Sequence, residues 1–399
     1  MDPRRQTGAA LFALAVGGFG IGTTEFATMG LLPQVADGLD ISIPTAGHAI
    51  TAYALGVVVG APAITAVAAK LPRRRLLLLL MIAFAAGNAL SALAPTPDTL
   101  IVARFLAGLP HGAYFGVASV VAASLVPTGR RGSAISLVMA GLTIANIAGV
   151  PAATLAGQQL GWRWAYAGVA VIGLLTVLAV RTWVPRTPAP RNASVARELT
   201  AFRRPQLLLA LLTGAVGFGG MFALYSYISP TLTEVAGVGE SAVPWVLALF
   251  GLGMTTGAVF GGRFIDRSPQ RTMIGGLIAM GSVLALYAVT ATSPVAAIGL
   301  VFVVGITTQT VAGAITVHLM DVSPDAPSLA AASTHSALNI ANASGAWLGG
   351  MVIAAGHGYL ATAWLGAGLC FAGLAVALTG VAAGRRSPVP ALAAQNDLC

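Results

Sequence analysis

The sequence consists mostly of long, unbroken apolar blocks, and these blocks restrict its fold more than any other feature. Each block holds about twenty residues or more, the length at which an α-helix crosses a hydrocarbon core of about 30 Å, and Leu, Ala, Val and Gly dominate. Lipid offers no partner to a backbone amide, so a spanning segment must be a helix or part of a closed barrel. Barrel strands alternate polar and apolar residues in pieces of about ten, and these blocks do not alternate. The sequence therefore predicts an all-α integral membrane protein.

Composition and the position of the charges support this class. Of the 399 residues, 57% are hydrophobic and 8% are charged, whereas a soluble protein carries about 25% charged residues. The net charge of +9 could suit a nucleic-acid partner, but the basic residues form short runs between apolar blocks, as topology signals do. We therefore expect the lipid bilayer as a partner, and no nucleic acid. Cys370 and Cys399 provide no disulfide framework.

The apolar blocks predict twelve transmembrane helices, arranged as two pseudo-symmetric six-helix bundles around a central cavity. We interpret the first block as a retained helix and not a signal peptide, because it holds Glu25 and lacks a convincing cleavage site. The N-terminal bundle covers residues 1–182, a cytoplasmic linker covers 183–205, and the C-terminal bundle covers 206–399. The predicted spans are 9–32, 44–69, 75–94, 99–125, 133–156, 162–182, 206–230, 241–262, 272–291, 294–318, 328–355 and 359–383.

The distribution of Lys and Arg predicts the orientation. If the N-terminus is cytoplasmic, 19 of the 21 basic residues lie in inner segments and only Arg163 lies in an outer one. This agrees with the excess of positive charge that cytoplasmic loops carry. We therefore expect a multi-pass protein of the cytoplasmic membrane with both termini in the cytoplasm.

A weak internal repeat relates the two halves. Short motifs in spans five and eleven match at an offset of 196 residues, and the basic turns after spans two and eight match at the same offset. Parallel repeats of this kind place a substrate site between the halves near the middle of the membrane. The matching residues are Ile144, Ala145, Asn146 and Gly149 with Ile340, Ala341, Asn342 and Gly345.

Two charged side chains lie well inside the predicted spans, Glu25 in span one and Arg104 in span four. A charge at such depth costs a few kcal/mol and needs a reason. With a rise of 1.5 Å per residue, both lie roughly 8–10 Å below the outer ends of their helices. Because their depths match, we expect the two side chains to be able to meet.

Either function or structure could explain this pair. In the functional interpretation Glu25 binds and releases a proton, because removal from water favours the neutral carboxyl while a nearby guanidinium favours the charged one. In the structural interpretation the pair pins two helices together, or Arg104 bonds to backbone carbonyls. We favour function, because ionisable residues inside membranes mark ion and proton pathways, although the two interpretations are compatible.

Other polar residues inside the spans are candidates for substrate binding. His111 lies two turns after Arg104 on the same helix face and could relay protons or bind substrate, although an ordinary interior histidine is slightly favoured. Tyr225 and Tyr227 near the outer end of span seven, and Gln309 midway through span ten, could bind substrate or only hold helices together.

The repeat motif in spans five and eleven contributes further candidates. Asn146 and Asn342 could contact substrate, but interhelical hydrogen bonds are the favoured interpretation. Gly149 and Pro151 most simply allow close packing and a kink in span five.

Several motifs resemble those of the major facilitator superfamily. The segment from Gly262 to Arg271 resembles the loop signature of that family and contains Asp266 and Arg267, whereas the equivalent loop in the first half lacks the acidic residue. The segment from Arg104 to Gly108 resembles the Arg motif of span four, and the segment from Gly141 to Gly157 resembles a variant antiporter motif. This resemblance implies that Asp266, Arg267, Arg271, Gly149 and Pro151 take part in conformational change.

Two more motifs resemble a narrower group, the twelve-span drug:proton antiporters. The segments Gly22 to Pro33 and Gly108 to Gly116 are similar to those of arabinose-efflux permeases and chloramphenicol-resistance exporters. The resemblance implies proton-driven export, with Glu25 as the coupling residue and Arg104 as its modulator. It further implies a monomer whose partners are protons and a small-molecule substrate, and which is driven by the proton gradient without a cofactor or metal.

The substrate and some alternatives stay open. A drug such as chloramphenicol, or a sugar, fits the group, and the scarcity of deep charges favours a neutral, partly apolar solute. A proton-coupled importer is the nearest alternative, because direction rests on the resemblance alone. A membrane enzyme or sensor is disfavoured, because the sequence shows no nucleophile–base pair, no metal-ligand cluster and no segment long enough for a soluble domain.

Overall fold

The computed structural model describes residues 3–67, 71–186, 205–323 and 327–386. This part of the chain contains twelve helices that are long and apolar enough to cross a membrane. Helices α1 to α4 cover Pro3–Gly30, Ile43–Val67, Arg73–Leu93 and Pro97–Ser124. Helix α5 is built from three consecutive segments, Arg131–Ile144, Ala145–Gly149 and Val150–Leu160, and α6 covers Trp162–Trp183.

The second half repeats this order. Helix α7 begins with Pro205–Gly217 and Gly219–Tyr225 and continues through the short segments Ile228–Pro230 and Thr231–Val235. Helices α8 to α12 cover Val243–Arg267, Pro269–Thr290, Pro294–Asp321, Pro327–Ala354 and Leu360–Arg386. A short helix, Leu32–Leu39, follows α1. The predicted all-α membrane fold is confirmed. Most of the predicted linker and Lys70 lie outside the described residues.

The helices pack as two sets, one from each half of the chain, and the sets meet along an interface that we call the seam. In the first half α2 packs on α4 and α3 on α6, and in the second half α8 packs on α10 and α9 on α12. The halves meet where α2 lies against α11 and where α5 lies against α8. A site between the halves is therefore lined by helices from both.

Glycines allow the closest of these packings, and they recur between the halves. A side chain at Gly56 or Gly60 of α2 would collide with the backbone of α4, and one at Gly108 of α4 would collide with α2. Such contacts let two backbones approach closely, as small residues do in membranes. The equivalent glycines of α8 and α10 lie 197 residues later, one residue from the motif offset: Gly253, Gly257 and Gly305.

Two helices are irregular where the motifs contain glycine or proline. The segment Ala145–Gly149 of α5 forms a π-helical turn, and Pro151 follows it, so this span departs from a regular helix where Gly149 and Pro151 lie. Helix α7 is interrupted after Tyr225, close to Pro230. π-turns within helices often accompany functional sites.

The two faces of the bundle can be told apart by their side chains. Arg74 at the start of α3 donates to the carbonyl of Arg181 at the end of α6, and we call this end the arginine-rich face. At the other end, the opposite face, Arg163 donates to Ala94 O over 3.0 Å. Gln158 of the first half donates to Glu240 O of the second half there, over 2.9 Å.

The glycine packing predicts a position-dependent effect of alanine on α10. Gly305→Ala should lower the thermal midpoint by several degrees, because its methyl would meet backbone atoms of Phe250 and Met254, and overpacking costs about 1–3 kcal/mol. Gly299→Ala on the same helix is the control, since that position is exposed and open and alanine favours a helix. Fluorescence-detected thermal unfolding of both variants checks this, and equal midpoints would contradict it.

Candidate functional site

Arg104 occupies the centre of the first half, with no exposed surface. Its Nη1 donates to Thr24 Oγ1 over 2.8 Å and its Nη2 donates to Thr24 O over 3.0 Å. Asn88 of α3 accepts from Nη1 over 3.5 Å and from the Thr24 hydroxyl over 2.6 Å. The guanidinium thus links α4 to α1 and α3, which offsets much of the cost of burying it.

Two tyrosine rings complete the surroundings of the guanidinium. The carbon at its centre lies 4.4 Å from the centroid of the Tyr53 ring and 5.1 Å from that of Tyr166. A cation near an aromatic ring is attracted by the ring quadrupole, most strongly where water is excluded. The Tyr166 hydroxyl in turn bonds to Thr28 of α1 over 2.9 Å. Helices α2 and α6 therefore also help to fix Arg104.

Glu25 follows Thr24 on α1, and its side chain is 7% exposed. Arg104 is close enough to act on the carboxyl electrostatically. In the described structure the two side chains therefore interact without the direct contact that their matching depths predicted. The hydrogen bonds of Arg104 hold Thr24, and Thr24 positions Glu25. This is a correction to a simple ion pair, and it agrees with the expectation that Arg104 could bond to a backbone carbonyl.

Asn342 reaches Glu25 from the other half. Its amide on α11 faces the Glu25 carboxyl, yet neither its nitrogen nor its oxygen makes a hydrogen bond of good geometry in the described structure. A buried amide held this loosely is costly, so its contact with the carboxyl can tighten or be exchanged for another partner. The carboxyl lies where the two halves meet.

His111 connects with the same cluster on the side of the arginine-rich face. Its Nδ1 lies 3.1 Å from the Tyr53 hydroxyl, and its role in proton transfer or substrate binding stays a prediction. A histidine that the sequence analysis did not single out, His335 of α11, lies 6.2 Å away between ring centroids. Phe115 stacks on His335 at 5.5 Å.

Aromatic side chains extend from Glu25 toward the opposite face. Phe26 of α1 lies 6.2 Å from Phe222 and 5.9 Å from Tyr225. Tyr225 also stacks on Phe250 of α8 at 4.1 Å, and its hydroxyl has no hydrogen-bond partner among the described residues. The cluster joins both halves and contains one candidate binder, Tyr225, with a free polar atom.

Tyr227 differs from Tyr225. Its hydroxyl donates to Ala346 O over 2.8 Å, and its ring fills the space beside Gly47 and Gly350, where a side chain would collide with it. The structure therefore accounts for Tyr227 by packing between α2, α7 and α11. Its role in substrate binding stays a prediction.

The remaining candidates are dispersed. Asn146 lies in the π-helical turn of α5, donates to Leu142 O over 3.0 Å and leaves its own side-chain oxygen unpaired within the described structure. Gln309 is half-buried on α10 beside Thr308, whose buried hydroxyl is similarly unpaired there. Gly149 packs against Thr23 and Phe19 of α1.

The candidate residues at the junction of α8 and α9 lie at the arginine-rich face, away from this cluster. Asp266 and Arg267 are exposed at the end of α8, and Arg271 is exposed in the first turn of α9, where its backbone nitrogen donates to Ser268 Oγ over 3.3 Å. Their role in conformational change stays a prediction. Among the described residues no group of three or more His, Cys, Asp and Glu could hold a metal.

Several residues of the cluster were missed by sequence reasoning. Asn88 lies five residues before the end of α3 at Leu93, so counting depth, as was done for Glu25, would have placed it beside Arg104. No such signal exists for Tyr53, Tyr166 and His335, because the sequence alone does not show whether they face lipid or the interior of the protein.

Comparison with known proteins decides the family. The model of the Major Facilitator Superfamily matches residues 14–243 and 221–396. The chain belongs to this superfamily. This major facilitator is 43% identical over 378 residues to the inner membrane transport protein YdhP of Escherichia coli (strain K12), covering 95% of this chain and 96% of the relative.

Two further similarities agree with this family. A chloramphenicol resistance protein of Streptomyces lividans is 34% identical over 360 residues, covering 89% of this chain and 91% of the relative. The crystal structure of the nucleoside transporter NupG superposes with a TM-score of 0.73 at 16% identity, covering 94% of this chain and 98% of that one. The predicted family is confirmed, and this major facilitator is a multi-pass membrane transporter.

The fork of hydrogen bonds from Arg104 predicts that lysine cannot replace it. Arg104→Lys should lower stability by about 2 kcal/mol or more, because an ammonium cannot hold Thr24 at two atoms and lie flat between two rings. Arg163→Lys is the matched control, since this exposed arginine also lies on a ring, at 4.2 Å from Trp162, and bonds to one carbonyl. Thermal unfolding compares them, and equal losses would contradict the prediction.

Proposed function

We propose that this transporter exports a small organic solute in exchange for protons, and that Glu25 carries the proton. The observation that supports this most is the position of its carboxyl, buried at the seam of the two halves between a fixed guanidinium and an amide of the other half. In the proposed cycle a proton from outside neutralises Glu25, the halves rock, and the proton leaves to the cytoplasm as solute binds. The proton gradient drives the cycle without a cofactor.

Two opposing influences let Glu25 change its charge within such a cycle. Burial favours the neutral carboxyl, while Arg104 favours the carboxylate. Arg104 belongs to the same half as Glu25, so it stays beside the carboxyl when the halves rock. Asn342 belongs to the other half, so rocking changes its contact with the carboxyl. A change of one pKa unit corresponds to about 1.4 kcal/mol, so a small movement is sufficient.

The polar atoms around the seam favour a neutral solute. The side-chain oxygen of Asn146, the amide of Asn342 and the hydroxyl of Tyr225 are buried and unpaired among the described residues. They can donate to or accept from hydroxyl, carbonyl and amide groups. The rings of Phe26 and Phe222 offer an apolar surface beside them. Chloramphenicol, which combines such groups with an aromatic ring, is our first candidate, and a sugar is the second.

The distribution of charged residues indicates the orientation of the protein in the membrane. We propose that the arginine-rich face is cytoplasmic, with both termini on that side of the cytoplasmic membrane, because cytoplasmic loops carry the excess of Lys and Arg. We further propose that the protein works as a monomer, since both halves of the site come from one chain.

Replacing the carboxyl tests the coupling. In everted vesicles that pump protons inward, the wild type should accumulate chloramphenicol or arabinose, and Glu25→Gln should reduce the accumulation ratio to about one, because an amide cannot exchange the proton that drives transport. Radiolabelled solute trapped on filters gives the ratio. Exchange of labelled for unlabelled solute, which needs no gradient, should persist in the variant.

Glu234→Gln is the control, since this exposed carboxylate lies at the opposite face and accepts from Tyr359 over 3.3 Å. It should accumulate solute as the wild type does. Proton-driven accumulation by Glu25→Gln would sink the coupling assignment, and solute leaving preloaded vesicles under the same gradient would identify an importer.

Cross-linking tests whether the halves must separate at the opposite face. Gln158 and Glu240 come from different halves and are in contact there, Gln158 half-buried and Glu240 exposed. In a Cys399→Ser background, Gln158→Cys with Glu240→Cys should lose solute accumulation after treatment with a short bis-methanethiosulfonate, and a reductant should restore it.

The matched control joins two positions of one half on the same face. Arg163 contacts Ala94, and Ala94→Cys with Arg163→Cys should accumulate solute with and without the reagent. Full accumulation by the cross-linked 158–240 pair, verified by mass spectrometry, would contradict alternating access at this seam.

A further inference from the structure

Two histidines face each other across the seam between the halves, on the side of Glu25 that leads to the arginine-rich face. His111 lies halfway along α4 and His335 lies eight residues into α11. Their ring centroids are 6.2 Å apart, and Phe115 contacts both rings, at 5.4 Å and 5.5 Å. Neither histidine is needed to hold Arg104, whose partners are Thr24, Asn88 and the two tyrosine rings.

Tyr53 connects this pair to the carboxyl. Its hydroxyl lies 3.1 Å from His111 Nδ1, its ring lies against Arg104, and it is near enough to Glu25 for an electrostatic interaction. The groups therefore form a sequence of proton-carrying side chains, from Glu25 through Tyr53 and His111 to His335. Its members come from α1, α2, α4 and α11.

Burial changes along this sequence. Glu25, Tyr53 and His111 are buried, at 7%, 1% and 2% exposure, whereas His335 is half-buried. His335 also lies about 12 Å along α11 from its first residue at the arginine-rich face. The sequence therefore begins at three buried groups and ends at a ring that is only partly buried.

The distance between the two rings fits an indirect transfer. A direct hydrogen bond between ring nitrogens would bring the centroids closer than 6.2 Å, and one bridging water fits the remaining gap. Imidazole can accept a proton at one ring nitrogen and release one from the other, so both rings can pass a proton onward.

We propose that Tyr53, His111 and His335 form the proton exit between Glu25 and the arginine-rich face. The inference rests on the proposed function, since it presupposes that Glu25 carries the proton. The Glu25 O–H bond breaks as a bridging water takes the proton, that water gives a proton to the Tyr53 oxygen, and the Tyr53 O–H proton moves to His111 Nδ1. His111 releases a proton from its second ring nitrogen through water to His335, which gives it to water on the side of the arginine-rich face. Glu25 is left as carboxylate, and His111 regains its starting tautomer when water takes the proton from Nδ1 and returns one to its second ring nitrogen.

The pair also makes the exit depend on conformation. His111 belongs to the first half and His335 to the second, so separation of α4 from α11 breaks the transfer between them, and the proton passes this pair before the arginine-rich side of the seam opens fully. Among the described residues, the titratable and charged groups beside the pair are Tyr53 from α2 and, beyond it, Glu25 and Arg104. The imidazoles are therefore the groups whose removal interrupts the transfer while leaving Arg104 in place.

The test follows deprotonation of Glu25 in the purified full-length protein. After a rapid jump to alkaline pH, time-resolved infrared spectroscopy records the loss of the protonated carboxyl band, identified as the band that Glu25→Gln removes. His335→Phe should slow this loss at least tenfold at unchanged final amplitude. Added imidazole should restore the rate of His335→Ala, which a purely structural role of the ring would not explain.

His318→Phe is the control, since His318 lies on α10, three residues before its end, and it should lose the band at the wild-type rate. His335→Gln replaces His335→Phe if the latter does not fold. A wild-type rate in the His335 variants, or a slow rate that imidazole does not restore, would overturn the proton exit. Absence of any band that depends on Glu25 would instead overturn the proposed function.

Discussion

A guanidinium buried within a lipid-embedded protein must have its charge and most of its donors satisfied, and the site of this transporter is built around that constraint. Both terminal nitrogens of Arg104 are hydrogen-bonded, and its Nε has no partner among the described residues. Arg104 has no exposed surface, and water cannot serve it. Thr24 and Asn88 accept its hydrogen bonds, while Tyr53 and Tyr166 cover its faces. These partners come from four other helices of the first half, so satisfying one side chain fixes how those helices meet. The position of Glu25 follows, because it is the next residue after Thr24.

The rigid surroundings of Arg104 contrast with the unfinished contacts at the seam. Asn342, Asn146 and Tyr225 have unpaired polar atoms among the described residues, and Asn342 faces Glu25 from the other half. Alternating access requires contacts that can break when the halves rock, and weakly satisfied groups lose little when they separate. In the proposed cycle the first half therefore holds the carboxyl in place, and the second half changes its surroundings.

Sequence reasoning predicted the helices and the two deep charges because both follow from the cost of placing polar groups in lipid. It also predicted the irregular α5 from Gly149 and Pro151, and the repeat that reappears in the glycine contacts of α2 and α8. It did not predict that Arg104 would hold Thr24 rather than Glu25 itself, because depth fixes which residues share a level and not which atoms meet. It missed His335 for a related reason, since rotation of α11 about its axis depends on packing against α2 and α4.

In the proposed function one buried carboxyl, Glu25, gains and loses a proton in the folded transporter. Counting the protons that the purified protein releases as the pH is raised from acidic to alkaline, and subtracting the count for Glu25→Gln, measures this directly. If Glu25 carries the proton, the wild type releases one proton more per molecule than the variant. Equal counts would show that Glu25 never changes its charge, and the proposed coupling would be wrong.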